Sequence, residues 1–132
     1  MKTYRNEKYG FEFQYPSDLV VAENVFRSAS EKFNLEVDFW NKEGKHLDVF
    51  SVDIMPPIFA DGFSGIHATT SSIVVGGVTG IKYEYVSETL PGVAVVLPLG
   101  QDKVRLGIDG AAKFYGHEGT FNQILASFRF LK

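Results

Sequence analysis

Phe33-Asn34-Leu35-Glu36-Val37-Asp38-Phe39-Trp40, the link Asn41-Lys42-Glu43-Gly44-Lys45, and the run Leu47 to Met55 together decide the fold. Side chains alternate across a β-strand. Phe33, Leu35, Val37 and Phe39 therefore share one face, and Asn34, Glu36, Asp38 and Trp40 the other. The following run repeats the pattern, Phe50, Val52 and Ile54 alternating with Val49, Ser51 and Asp53. Gly44 supplies a residue that tolerates positive φ in the intervening turn. These segments read as an antiparallel hairpin with one apolar face.

Upstream, Tyr9-Gly10-Phe11-Glu12-Phe13-Gln14-Tyr15 is an aromatic strand of the same period. Pro16-Ser17-Asp18 stops it, because proline cannot donate to a ladder, and leaves room for a short N-terminal helical turn. Leu19 to Phe26 is the next strand. Downstream, Pro56-Pro57 closes the hairpin, and 56–72 reads as a long irregular loop whose glycines oppose a long helix. Ile73-Val74-Val75 leads into Gly76-Gly77. Val78 to Val86 follows as a strand, with Ile81, Tyr83 and Tyr85 alternating with Lys82 and Glu84. Pro91-Gly92 marks a turn, and Val93 to Leu97 is apolar throughout, as a strand buried on both faces would be. Lys103 to Asp109 turns Val104, Leu106 and Ile108 inward.

One helix is well marked. Thr120 and Gln123 match a capping box. Phe121, Ile124, Leu125 and Phe128 fall at i, i+3, i+4 and i+7 on one helical face. Phe128 to Leu131 adds a short terminal strand. Strand follows strand without the regular helical crossovers that parallel pairing would require, so an antiparallel sheet is the simplest solution. The expectation is a single α+β domain over 1–132: an antiparallel sheet of six or seven strands with the C-terminal helix packed on it.

Composition sets outer bounds. The chain has 132 residues, of which 45% are hydrophobic, with twelve Phe, six Tyr and one Trp. That size and apolar share support a core without metals or disulfides. Net charge is −3, and the basic residues are scattered. This argues against nucleic-acid and anionic-membrane partners. With no cysteine, disulfides, thiolate zinc sites and thiol catalysis are excluded. No apolar run approaches the roughly 20 residues of a membrane-spanning helix. The polar start, Met1 to Lys8, lacks a signal-peptide apolar region. It is read as the start of a cytoplasmic protein or of a domain whose leader has been removed.

Both ends of the chain carry a resemblance. Tyr9-Gly10-Phe11-Glu12-Phe13-Gln14-Tyr15-Pro16 resembles the opening of PsbP-like domains. Phe121-Asn122-Gln123-Ile124-Leu125-Ala126-Ser127-Phe128-Arg129-Phe130 resembles the ending of bacterial members. Gly76-Gly77-Val78-Thr79-Gly80 before an aromatic strand is also similar. Leu19 stands where many relatives have Trp. The family includes the extrinsic PsbP subunit of photosystem II and shares its fold with a Ran-binding nuclear import factor. The resemblance implies an antiparallel sheet with helices on its faces. It also implies a binding or assembly module, often placed outside the cytoplasm. It implies no chemistry and brings no metal or partner site onto these residues.

The residues with chemical potential are few. His46, His67 and His117 have no metal-ligand spacing, and His46 and His117 read as surface residues. His67 lies in the long loop with Asp61, Ser64, Thr69 and Thr70. Asp61, Ser64 and His67 are too close in one loop to form an aimed triad, and the G-x-S-x-G spacing is missing. Glu36, Asp38, Asp48 and Asp53 lie on the hairpin without a calcium loop. Val74 to Gly80 lacks the phosphate-binding motifs and reads as a turn or bulge. Long loops in compact domains are often functional, and this one carries Phe59, Phe63 and Ile66, so it reads either as a packed covering loop that closes the core or as a ligand or partner surface. Trp40, conspicuous on a polar face, is either core or a contact residue.

The expectation is a non-enzymatic binding or interaction module without cofactor. Its candidate residues are Trp40, Phe59, Asp61, Phe63 and His67, and its partner is a protein or a small ligand. A second reading is a small-molecule-binding or hydrolytic domain, with a pocket under the 56–72 loop and Asp61 and His67 as its polar groups. Oligomeric state is not set by these patterns.

Overall fold

The computed structural model describes residues 1–25, 35–41, 48–55, 68–87, 90–108 and 118–131. These form β1 (Lys2–Asn6), β2 (Phe11–Tyr15), β3 (Leu19–Val25), β4 (Leu35–Asn41), β5 (Asp48–Met55), β6 (Ala68–Val75), β7 (Val78–Ser87), β8 (Leu90–Leu99), β9 (Asp102–Ile108), α1 (Glu118–Ser127) and β10 (Arg129–Phe130). They build two sheets, one of order β3-β4-β5-β9-β8-β7-β6 and one of order β1-β2-β10. Every ladder is antiparallel. The α+β class and the C-terminal helix agree with the sequence reading.

The hairpin pairs as its periodicity requires, with Leu35 opposite Ile54, Val37 opposite Val52 and Phe39 opposite Phe50. All six side chains are buried on one face of the large sheet. Val93, Val95, Leu97, Val104, Leu106 and Ile108 extend that face across β8 and β9. Val93 to Leu97 is buried at every position, so β8 is covered on both sides, as its continuous apolar run implies.

Against this face lie β2 and α1. Phe121, Ile124 and Phe128 are buried and Leu125 partly so, and the terminal stripe thus finds its partner surface. Phe13 of β2 sits at the centre of the join. Its ring lies 5.6 Å from both Phe39 and Phe50 and 6.1 Å from Phe128. After α1 the chain returns as β10, which places Phe130 opposite Phe11. Ser127 Oγ accepts from the Gln14 amide at 2.8 Å, which locks the helix end onto β2.

Several sequence expectations change. There are two sheets rather than one, because β2 pairs with β1 and β10 and not with β3. The polar start is a strand. Only Tyr4 of β1 is buried, so alternation had a single apolar residue to reveal it, while β2 supplies the ladder. The aromatic strand begins at Phe11 rather than Tyr9, because 7–10 is a turn. There Gly10 has φ +77°, its amide donates to the Asn6 carbonyl at 2.8 Å, and the Tyr9 amide donates to Asn6 Oδ1. Pro16 starts a turn closed by the Leu19 amide on the Pro16 carbonyl, and not a helix. The helix begins at Glu118, so Thr120 lies inside it and is not its N-cap. Residues 68–72, read as irregular, are the first part of β6. Their Thr and Ser side chains are exposed at a sheet edge, where no apolar face is needed.

β1 also ties the two sheets together. Tyr4 Oη donates to Glu23 Oε2 of β3 and accepts from Asn6 Nδ2 at 3.2 Å. Burial first, then the bond to Glu23, pushes the Tyr4 phenol well above its ordinary value near 10. The unfolded chain would release this proton near pH 10, whereas the native chain retains it. Stability from this group is therefore complete below about pH 10 and declines above it. Urea midpoints measured from about pH 9 to pH 11 should fall more steeply for the parent chain than for Tyr4→Phe. Equal slopes would mean Tyr4 titrates alike in both states.

Candidate functional site

The face of the large sheet turned away from the main core carries a second, distinct set of side chains. Strand pairing places Glu36, Asp53, Arg105, Val96, Ile81 and Ser72 in one row across β4, β5, β9, β8, β7 and β6. The next row runs through Asp38, Ser51, Gly107, Ala94, Tyr83 and Thr70. Each of these residues has the opposite parity to the core positions of its own strand, and alternation alone puts them together.

The two halves of this face differ. Around β5 and β9 it is ionic. Arg105 donates to Asp53 Oδ2 at 3.0 Å, and the Asp53 and Arg105 side chains are only 6% and 22% exposed. Such a pair is set by geometry and loses much of its Coulomb gain to desolvation. Around β8 and β7 the face is apolar. Met55, Tyr83, Ala94 and Val96 form a small buried cluster, with Ala68 and Tyr85 against it. Gly92 lies under the Tyr85 ring, where a Cβ would come within 2.5 Å of it.

A shallow concavity of about 730 Å³ opens beside this cluster. It is lined by Thr70, Ser71, Ser72, Thr79, Gly80, Ile81, Tyr83, Val96, Pro98 and Lys103. Val96, Pro98 and the Tyr83 ring supply apolar surface. Thr70, Ser72 and Lys103 supply two hydroxyls and one ammonium. Ile81 is 45% exposed here and adds apolar surface to the concavity. The arrangement can accept an apolar body with an acceptor or anionic end directed at Lys103.

Of the residues expected from the sequence, Trp40 is half-buried. It follows Phe39 on β4 and so turns away from the main core, beside Val20 of β3. The ladder to β5 shifts register between Phe39 and Trp40. β5 stands between its strand and β9, the nearest strand that lines the concavity, and Trp40 is not among the lining residues. Phe59, Asp61, Phe63 and His67 lie outside the described residues, as do Ser64, His46 and His117. Thr70, Ser72, Ile81, Tyr83, Val96, Pro98 and Lys103 were missed because each sits on the non-core parity of its strand. The legible signal was the apolar pair Ile81 and Tyr83 on alternate positions of β7, next to a strand apolar on both faces. Among the described residues, no group of three or more His, Asp or Glu side chains is placed to hold a metal ion. No described helix is long and apolar enough to cross a membrane.

These residues define an antiparallel, two-sheet α+β protein with a mixed ionic and apolar outer face. No protein-family model matches the chain, and no curated protein sequence matches it.

Proposed function

We propose that the chain is a non-enzymatic binding module of PsbP-like kind, whose working surface is the outer face of the large sheet. The observation that carries this reading is the concavity between β6 and β9, where exposed Ile81 adjoins Val96 and Lys103. Apolar floor, hydroxyl rim and one cation suit a ligand or partner segment with an apolar body and an anionic end. Binding rather than chemistry is favoured because Asp53 and Arg105 of this face are engaged with each other. The PsbP-like reading draws its support from the two ends of the sequence, the antiparallel sheet and the terminal helix packed against it.

Anilinonaphthalene sulfonate, an apolar anion with environment-sensitive fluorescence, tests the surface. The folded chain should brighten it and gain thermal stability with dye concentration, because a ligand of the native state alone raises the melting point. Ile81→Asp and Lys103→Glu should each weaken binding about tenfold or more while leaving the melting point of the dye-free chain nearly unchanged. Undiminished binding by both variants would exclude this surface.

A further inference from the structure

The strand β6 ends the large sheet, and among the described residues no strand pairs with its outer side. Edge strands are normally guarded by charge, proline, bulges or shortness. The other described edges have such guards. β1 carries Lys2 and Arg5, and β10 is two residues long and carries Arg129. Glu23 of β3, at the opposite end of the large sheet, is held by Tyr4 of β1. β6 has none of them. Its eight residues, Ala-Thr-Thr-Ser-Ser-Ile-Val-Val, include no charge and no proline, and its ladder to β7 runs without a register shift. Thr69 to Ser72 are exposed on both faces, and Val74 is 65% exposed.

The hairpin turn tells which backbone groups of this edge point outward. Gly76 and Gly77 have φ +60° and +79°, the signature of a two-residue turn that closes on a hydrogen-bonded pair. Val75 and Val78 are that pair. Hydrogen-bonded and non-hydrogen-bonded pairs alternate along an antiparallel ladder. Thr69, Ser71, Ile73 and Val75 therefore bond to β7, and the amides and carbonyls of Ala68, Thr70, Ser72 and Val74 point away from it.

We propose that β6 is a self-pairing edge: two copies of this chain join β6 to β6 antiparallel, about a two-fold axis through Ser71. In that register Ala68 meets Val74 of the second copy, and Thr70 meets its Ser72. All four outward residues then exchange both of their hydrogen bonds. Moving the axis to Ser72 would set Ala68 against Gly76 in the turn. A second copy is the occupant that this strand fits. An uncharged edge meets itself without like-charge repulsion, and exposed Val74 falls opposite the small Ala68, while Thr70 falls opposite Ser72. The result is one continuous sheet of twice seven strands. This rests on the strand edge and is independent of what the outer face binds.

The register makes Ser71 its own neighbour in a non-hydrogen-bonded pair, with Cα atoms about 4.5 Å apart, within disulfide reach. The chain has no cysteine, so a single introduced thiol is diagnostic. Ser71→Cys in the full chain should form a disulfide-linked dimer under mild oxidation. Thr69→Cys should not, because its two copies are offset by four residues, about 13 Å along the strand. Ser71→Lys and Ser71→Glu should each sediment as monomers and recover the dimer mass when mixed. The side chain of Ser71 is exposed and its β7 bonds are backbone, so these variants keep the fold, which circular dichroism would verify. A parent chain that sediments as a monomer at about 1 mM overturns the proposal. So does a dimer that survives Ser71→Lys, or equal cross-linking of the two cysteine variants.

Discussion

Replacing Phe13 by alanine is expected to remove about 3–5 kcal/mol of folding stability, the usual cost of deleting a buried aromatic ring. Phe13 is 1% exposed and lies between the two sheets. Its ring is within 5.4–6.4 Å of those of Tyr4, Phe39, Phe50, Phe128 and Phe11. These partners come from β1, β2 itself, β4, β5 and the residue that follows α1, so the void cannot be closed by moving one element. Domains of this size are stable by only about 5–15 kcal/mol, so the loss is a large fraction of the total. Phe13→Leu, which keeps most of the volume, should cost less than half as much. Urea unfolding with an unchanged slope and a shifted midpoint would measure it. A cost under about 1 kcal/mol for the alanine variant would mean that β2 does not seal the core.

The second large effect concerns the outer face. Asp53→Ala is expected to cost about 2–3 kcal/mol, below the roughly 3–5 kcal/mol of a fully buried pair, because Arg105 keeps 22% of its side chain in contact with solvent. The loss reflects the desolvation of a partly buried Arg105 guanidinium that has lost its Asp53 carboxylate, and not the attraction alone. Asp53→Leu combined with Arg105→Met should therefore recover most of it, since the double change removes both desolvation costs. A double-mutant cycle in urea measures the coupling. If the double variant is as unstable as the sum of the single ones, the pair is not coupled and the strand register here would be in question.

Period-two alternation made the central strands legible because it is local. Whether Phe39 or Trp40 faces the core depends on pleat geometry within β4, and the six core residues of the β4–β5 hairpin follow from it directly. The terminal helix was legible for the same reason, its stripe being a property of 3.6-residue periodicity. Its start was not. Thr120 and Gln123 imitate a capping box, yet the helix is already formed at Glu118, since packing of Phe121 and Ile124 outweighs a cap worth about 1 kcal/mol. β1 and the start of β6 were illegible because one buried Tyr and no buried residue, respectively, mark them before Val75. Their identity as strands comes from the neighbours that pair with them.

The concavity was hidden for a different reason. Thr70, Ile81, Val96 and Lys103 come from four strands, and their meeting depends on the order β9-β8-β7-β6. Nothing in the spacing of 70, 81, 96 and 103 announces it.

The amino-acid order alone determined that this chain makes antiparallel strands with one apolar face and an amphipathic helix to cover it. Those traits follow from each residue's own backbone and its near neighbours. Only the tertiary structure decided that β2 leaves the main sheet to pair with β1 and β10, and that Asp53 finds Arg105 across 52 positions of chain. Such pairings depend on which distant segments compete for the same edge, a contest settled by the combined packing of the whole core.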